Sequence, residues 1–284
     1  MSLIRPMTSD EVAQLVTWAG DEGWNPGLHD AQLFWDLDPE GYLALEEDGR
    51  MIGGGAIIRH GAAFGFMGLF IVEKAFRGSG LGTKLWYARR ERLLSRLRPG
   101  GTIGLDAVDA MVPFYAQGGF VPFTRHRRFQ LTGRQNGVSP NNDVVQITDD
   151  LLPQLIAYDR HCFPTPREAF LTAWLRQPGA VSLACVETGQ VRGFGVMRPC
   201  LTGWKIGPLF ADTPTIASDL ITTFQQSSAG REIFLDIPDN NPAATALRQT
   251  HQLQEVFGCV RMYHGPPPEL DHSRIFGITT FEVG

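Results

Sequence analysis

Apolar positions near the N-terminus follow a helical period. Thr8, with Glu11 three residues later, predicts a capping box at the start of a helix. Four apolar residues follow at the spacing of one buried helix face: Val12, Leu15, Val16 and Ala19. Asp48-Gly49 lies between two strand-like runs and predicts a hairpin. This part of the chain therefore predicts a mixed α/β unit.

The first half continues with alternating strands and helices. The further predicted elements are a helix over 30–37, strands over 42–46, 51–58 and 64–72, a helix from Leu81 to Leu97, a strand over 102–108, a short helix ending at Gly118 or Gly119, and strands over 120–123 and 127–131. Asp109 is expected to cap the short helix.

The second half repeats this order. Its predicted elements are a helix capped by Asp149 or Asp150, a helix near 167–175, strands over 180–186, 191–197 and 204–210, a helix from Thr213-Pro214, a strand over 232–237 and a helix near 243–249. Leu105-Asp106, with Asp109 three residues on, matches Leu235-Asp236 with Asp239. We therefore predict a tandem repeat of one α/β unit. Residues 132–143, rich in turn formers, predict a linker between domains at 1–134 and 143–284.

Composition narrows the class of protein. The 284 residues are 43% hydrophobic and 19% charged, enough for packed cores, and the net charge of −5 disfavours nucleic acid as a partner. No apolar run reaches the ~18 residues of a membrane helix, and no signal peptide is evident, so no membrane association is expected. The four cysteines lack paired metal-ligand spacing, so we expect a cytoplasmic protein without a metal.

The clearest chemical signal is a glycine-rich loop between a strand and a helix. It runs through Arg77-Gly78-Ser79-Gly80-Leu81-Gly82-Thr83. Glycines at a helix N-terminus let unpaired backbone N–H groups approach a phosphate. The mononucleotide P-loop spacing is not met, and the dinucleotide fingerprint fails because Thr83 or Leu85 stands where glycine is needed.

Arg77, Gly80 and Gly82, after a strand that ends in Val72, resemble the coenzyme A loop of the GNAT (GCN5-related) N-acetyltransferase superfamily. The resemblance implies a central mixed β-sheet flanked by helices in each half, and acetyl-CoA as co-substrate. It also implies that the strand residues Phe70, Ile71 and Val72 pair with the pantetheine arm. The loop residues that would bind the pyrophosphate are Arg77, Gly78, Ser79, Gly80, Leu81, Gly82 and Thr83.

A second element is Phe114-Tyr115-Ala116-Gln117-Gly118-Gly119-Phe120, which is similar to the Tyr-x-x-x-Gly-Phe of that superfamily. The resemblance implies that Tyr115 protonates the leaving thiolate as a general acid. The alternative is a core aromatic that packs beside Phe114 and Phe120. The strand segment 66–70 has no carboxylate to serve as general base, and the base stays open among Asp106, Asp109, Asp30 and His60, with Glu73 expected to face solvent.

Acceptor binding is less marked in the sequence. Trp24 and Asn25 occupy a turn that covers the acceptor side in the resembled fold, and they either line the pocket or anchor the loop. Asp106 is a further candidate substrate residue. The run of arginines from Arg89 to Arg98 on the predicted helix is interpreted as a solvated face.

The second half has no glycine between Phe210 and Gly230, so it is similar to a degenerate GNAT-like domain, either structural or forming part of the acceptor site. We expect direct acetyl transfer to a small-molecule or peptide amine, without a covalent enzyme intermediate. The alternatives are a non-catalytic acyl-CoA-binding or scaffold module and an N-acyltransferase that uses longer acyl chains. Oligomeric state is not predicted.

Overall fold

Two compact units make up the chain, which we describe from a computed structural model covering residues 2–133 and 141–284. Unit 1 comprises Met1–Phe123, Arg261–Pro267 and Phe281–Gly284, and unit 2 comprises Thr124–Val260 and Pro268–Thr280. Each unit therefore has segments that are distant in sequence, which the local patterns did not indicate. The predicted linker over 132–143 falls mostly outside the described residues.

The element order of the first half recurs in the second, which confirms the predicted repeat. The first half contains β1 (Ser2–Pro6), α1 (Ser9–Asp21), α2 (Asp30–Leu37), β2 (Tyr42–Glu47), β3 (Arg50–Arg59), β4 (Phe64–Val72), α3 (Leu81–Arg96), β5 (Thr102–Ala107), α4 (Val112–Gln117) and β6 (Val121–Thr132). The second half contains β7 (Val144–Gln146), α5 (Leu152–Cys162), α6 (Glu168–Leu175), β8 (Val181–Glu187), β9 (Gln190–Pro199), β10 (Trp204–Ala211), α7 (Pro214–Ser227), β11 (Glu232–Pro238), α8 (Pro242–Thr250), β12 (Gln254–His264) and β13 (Ile275–Gly277).

The sheet of unit 1 follows the order β1-β2-β3-β4-β5. Its first four strands pair antiparallel, whereas β4 and β5 are parallel. The end of β12, from Arg261 to His264, belongs to this unit and continues the sheet beyond β5. The result is the expected mixed sheet with flanking helices.

Unit 2 has the corresponding order β7-β8-β9-β10-β11, followed by β6. The pair β10–β11 is parallel, and β6 pairs antiparallel with β11 along His126–Thr132. β13 pairs antiparallel with β10. The apolar side chains of α7, including Leu220 and Phe224, pack into the core of this unit.

Helix starts were predicted with mixed success. The capping box of Thr8 and Glu11 is confirmed, and Thr213 caps α7 by accepting from the backbone N–H of Ile216. The expected cap at Asp109 is wrong because this residue begins a 3₁₀ turn over Asp109–Met111, and α4 then starts with a proline in its first turn. The expected cap at Asp149 or Asp150 is wrong for the same reason.

Within the described ranges 2–133 and 141–284, no helix is both long and apolar enough to cross a membrane.

Candidate functional site

A change of pairing along β4 defines the site in unit 1. The ladder between β4 and β5 runs from Phe64 opposite Thr102 to Met67 opposite Leu105 and ends there. On the other side, the pairing of β4 with β3 is interrupted by a bulge, and Leu69 takes a φ of 49°. From Gly68 to Val72, the edge of β4 that faces β5 therefore lies outside the β4–β5 ladder. An extended ligand can hydrogen-bond to such a strand edge.

The open edge leads directly into the glycine loop. Gly78 and Gly80 have φ values of 76° and 85°, and an added Cβ at either position would have no atom within 4 Å. Gly80 is the N-cap of α3, and no side chain caps this end of the helix. The first helical hydrogen bond joins the N–H of Lys84 to the carbonyl oxygen of Gly80 at 3.1 Å. The preceding amides of Leu81, Gly82 and Thr83 belong to the first turn, which leaves them available to an anion.

Arg77 fixes the entry to this loop. Its Nε donates to the carbonyl oxygen of Val72 at 2.7 Å, and its Nη2 donates to Glu22 at 2.6 Å. Ser79 donates to the carbonyl oxygen of Phe76 at 2.6 Å. Glu22 caps the end of α1, so the ion pair also places the following turn, with Trp24 and Asn25, near the loop. Both of these residues are half-buried, and Asn25 has a φ of 52°.

Tyr115 on α4 belongs to an aromatic cluster that also includes side chains of α3 and β4. Its ring centroid is 4.7 Å from that of Trp86 on α3, and the Trp86 ring is 6.2 Å from that of Phe70 on β4. Tyr115 is 8% exposed. Gly118 and Gly119 end the helix, and Arg90 Nη1 donates to the carbonyl oxygen of Gly118 at 2.8 Å. The arrangement supports both interpretations of Tyr115, because the ring packs in the core while Trp86 links it to Phe70 on β4.

Asp106 has a structural partner. Arg261 donates from Nε and Nη2 to its two carboxylate oxygens at 2.9 and 2.7 Å, and the carboxylate is fully buried. Burial opposes the charge on Arg261, but the charges and hydrogen bonds of Asp106 and Tyr263 together outweigh burial and raise the pKa of the guanidinium. This pairing favours a structural role for Asp106 over acceptor binding or base catalysis.

The other base candidates also have defined contacts. Asp30 accepts from the N–H of Gly27 at 2.7 Å, and His60 Nε2 donates to the carbonyl oxygen of Val283 at 2.7 Å. Glu73 forms an ion pair with Arg50 at 2.7 Å. These contacts hold turns and chain ends in place, so none of them singles out a base.

The C-terminal tail approaches β4 within unit 1. A Cβ at Gly68 would collide with the backbone of Glu282, and Val283 is fully buried. Glu282 is itself buried at 3% exposure. Sequence reasoning did not connect this carboxylate with β4, because more than two hundred residues separate the two segments.

Arg89 contradicts the expectation of a solvated helix face. It is fully buried, and its Nη2 donates to the carbonyl oxygens of Ala56 and Gly68, both at 2.6 Å. Arg89 shares the buried side of α3 with Leu85 and Leu93, which lie four residues away in either direction. That spacing was the available signal, and the charge of the neighbouring arginines obscured it.

The corresponding position in unit 2 differs from the glycine loop. Only Asp212 and Thr213 separate β10 from α7, against eight residues between β4 and α3. Thr213 caps the helix, and the Asp212 carboxylate accepts from the Tyr158 hydroxyl at 2.8 Å. Burial is the main cause of the raised pKa of Tyr158, to which Asp212 adds. A capped helix end beside a carboxylate disfavours phosphate.

Two family models match the chain: one for the GNAT acetyltransferase family over residues 9–120, and one for a GNAT acetyltransferase domain over residues 155–277. The fold and the matches define an acyltransferase with two tandem domains. The chain belongs to the GNAT superfamily, as its glycine loop indicated.

Known relatives span nearly the whole chain. The chain is 25% identical over 282 residues to a holothin acyltransferase of Pseudoalteromonas sp. (strain SANK 73390), covering 99% of this chain and 94% of that protein. A provisionally assigned acetyltransferase from Pyrococcus horikoshii has a crystal structure with a TM-score of 0.84 and 26% identity, covering 100% of this chain and 96% of that one. A tandem GNAT protein from the clavulanic acid biosynthesis pathway matches with a TM-score of 0.68 and 13% identity, covering 94% and 100% respectively.

Proposed function

We propose that this acyltransferase uses acetyl-CoA and acetylates an amine by direct transfer, with unit 1 as the catalytic unit. The observation that carries the proposal is that the edge of β4 without a β5 partner leads directly to the N-terminus of α3, which has no side-chain cap. The β4 edge beyond Met67 leads through Arg77 to the uncapped N-terminus of α3. A ligand with an extended amide arm and a pyrophosphate fits that sequence of donors and acceptors.

The residues present fit coenzyme A. Backbone groups of Phe70, Ile71 and Val72 would pair with its arm, and the amides from Arg77 to Thr83 would bind its pyrophosphate. The absence of neighbours around Gly78 and Gly80 supports this, since a phosphate needs close access to the backbone there. When bound, acetyl-CoA supplies an activated acyl group on sulfur.

Tyr115 serves as the general acid in this proposal. Its hydroxyl would donate a proton to the sulfur as the thiol departs, and the surrounding aromatic cluster would exclude water from the proton transfer. The amine would approach from the side of the Trp24–Asn25 turn, which the Arg77–Glu22 ion pair ties to the glycine loop. Asp106 is left out of this assignment because Arg261 occupies its carboxylate.

We propose that the first half of the chain, residues 1–134, is the catalytic domain. The second half, residues 143–284, binds no cofactor in this proposal and is either structural or forms part of the acceptor site. The Thr213 cap and the short connection before α7 support this. The four cysteines are buried free thiols, which is compatible with a reducing cytoplasm.

A small-molecule amine is the favoured acceptor class. The relatives named for holothin and for clavulanic acid biosynthesis both bear the names of small molecules. The second candidate is an N-acyltransferase that takes longer acyl chains, since the holothin relative is named an acyltransferase without a stated chain length.

The test is calorimetric titration of the native protein with acetyl-CoA and with acyl-CoAs of increasing chain length. Arg77→Glu and Gly80→Glu should abolish binding because they place a carboxylate beside the pyrophosphate. Gly100→Glu is the matched control, since Gly100 also has a positive φ of 77° with open space around it but lies at the far end of α3. Binding that survives both loop changes, or is absent from the native protein, would contradict the assignment. Release of free thiol with a panel of amines then separates an enzyme from a non-catalytic acyl-CoA-binding module.

A further inference from the structure

Arg89 is a buried guanidinium without a carboxylate partner in the part of the chain that the structure describes. Its Nη2 is bonded to two backbone carbonyl oxygens, but its Nε and Nη1 are buried and make no hydrogen bond there. Removing a charged group from water is strongly unfavourable unless a partner compensates. A buried guanidinium at position 89 therefore lowers the stability of the fold relative to a leucine at the same position.

The guanidinium contacts the part of β4 that we propose to bind the pantetheine arm. Gly68 is the last residue of β4 that pairs with β3 before the bulge, and its carbonyl oxygen accepts a hydrogen bond from Arg89. The Cζ atom of Arg89 is 5.0 Å from the ring centroid of Phe70. A Cβ at Gly55 on β3 would collide with the guanidinium, so this glycine makes room for it. Both strands are therefore shaped around the charge.

Tyr115 lies on the other side of the same cluster. Phe70 contacts Trp86, and Trp86 contacts Tyr115. Burial lowers the pKa of Arg89 to about 10, an effect that the charge of the Tyr115 phenol partly opposes. Arg89 therefore stays protonated at neutral pH, and the two side chains interact electrostatically.

Other ionisable groups lie on the elements around Tyr115 and have contacts of their own. The groups on the elements that pack around α4 are Arg90, bonded to the Gly118 carbonyl oxygen, His264, which packs against Phe120 and Gly119, Asp106, paired with Arg261, and Asp109, in the turn before α4. Of these groups, Arg89 alone combines full burial with an incomplete set of partners among the described residues.

The second half offers an internal contrast. The helix α7 follows β10 as α3 follows β4, and its sequence contains no arginine or lysine. The half that lacks the glycine loop thus also lacks a cation on this helix.

We infer that Arg89 is a positioning residue for the acyl transfer, a buried cation that favours negative charge at the Tyr115 oxygen and at the sulfur that Tyr115 serves. The inference rests on the proposed function of Tyr115. A cation near a phenol stabilises the phenolate and so makes the phenol a stronger acid. In a site closed to water, this effect is larger than at the surface.

The experiment compares Arg89→Gln with Arg89→Lys. Both side chains can still donate to a carbonyl oxygen, but only lysine keeps the charge. Difluorotyrosine incorporated at position 115 reports the ionisation of that phenol alone by fluorine NMR, without any need for turnover. We expect the midpoint to rise by about one pH unit or more in Arg89→Gln and to stay near the native value in Arg89→Lys. Turnover of the variants with natural Tyr115 should fall about tenfold in Arg89→Gln and recover in Arg89→Lys.

The same midpoint in native protein and Arg89→Gln would overturn the inference, as would equal shifts in the glutamine and lysine variants. If Arg89→Gln does not fold, Gly55→Ala replaces it, because the added methyl group displaces the guanidinium and should raise the midpoint in the same direction. Failure of the proposed function shows differently: the native protein would release no thiol with any amine, while the fluorine titration would still respond to Arg89.

Discussion

Arg261 donates two hydrogen bonds to Asp106, and this pair joins residues that are 155 positions apart in the sequence. Unit 2 contains the corresponding pair, in which Arg128 Nε and Nη2 donate to Asp236 at 2.7 and 2.8 Å. In each unit the carboxylate lies near the end of the strand that carries the repeated Leu-Asp pair, and the arginine comes from the other half of the chain. The repeat is thus conserved in its charges as well as its elements.

Breaking the Asp106–Arg261 pair should strongly destabilise unit 1. Asp106→Ala and Arg261→Ala should each lower the free energy of unfolding by about 3–5 kcal/mol, because each leaves a buried charge without its partner. The double variant should lose clearly less than the sum of the two, as measured in a denaturant double-mutant cycle.

The matched control is the exposed pair of Arg176 and Asp149, whose removal should cost less than about 1 kcal/mol. Additive losses at Asp106 and Arg261 would contradict direct coupling between them.

Acid should weaken unit 2 through Asp236. Burial opposes ionisation of this carboxyl, but the charge and hydrogen bonds of Arg128, together with the charges of Lys205 and Arg198, outweigh burial and lower the pKa below the ordinary value of 3.8. A group with a depressed folded-state pKa adds stability above its unfolded pKa and loses it as the pH falls through the folded one. Calorimetry between neutral pH and pH values below about 4 should therefore show a steeper loss of stability for native protein than for Asp236→Asn. Parallel curves would exclude this contribution.

Tyr115→Phe should lower kcat about a hundredfold or more, the effect of losing a general acid. Binding of acetyl-CoA should change little, because the ring and its contact with Trp86 remain. Tyr87→Phe, on the exposed side of the neighbouring α3, serves as the control and should leave kcat unchanged. An unchanged kcat in Tyr115→Phe would restrict this residue to packing.

Gly80→Ala should weaken acetyl-CoA binding about tenfold. At a φ of 85° a Cβ is strained by about 1 kcal/mol, and relaxation would move the amides that we propose as the pyrophosphate site. Gly100→Ala introduces the same kind of strain away from the loop, so it should lower the melting temperature similarly without affecting binding. Equal affinities of the two variants would contradict a role for the loop amides.

Gly68→Ala should destabilise unit 1 by about 1–3 kcal/mol because the methyl group meets the Glu282 backbone. Gly258→Ala is the comparison, since its Cβ would come no nearer than 3.4 Å to any atom. Thermal unfolding of the two variants decides the point, and equal melting temperatures would show that the tail does not press on β4.

Local signals accounted for the elements that the site depends on. The strand, loop and helix from Phe64 to Arg96 were predicted because a nine-residue apolar run, a glycine cluster and a helical period follow one another directly. The strands β1, β7, β12 and β13 were not predicted. Of these, β1, β7 and β13 have only five, three and three residues, too few for a clear period, and β12 pairs with strands that are distant in the sequence.

The remaining errors have physical reasons in charge and distance. Arg89 was assigned to a solvated face because buried guanidinium groups are rare, although its spacing from Leu85 and Leu93 matched the core. The partner of Asp106 could not be found locally, because Arg261 reaches it only through the folding of a strand from the end of the chain.

The exchange of segments between the halves also bears on synthesis. Unit 1 contains Arg261–Pro267 and Phe281–Gly284, so both segments must be synthesised before the unit that holds the glycine loop can complete its fold. A chain released before them, even one that carries the whole glycine loop, would lack both the partner of Asp106 and the segment that contacts Gly68. Completion of unit 1 during synthesis is thereby tied to translation of segments that follow most of unit 2.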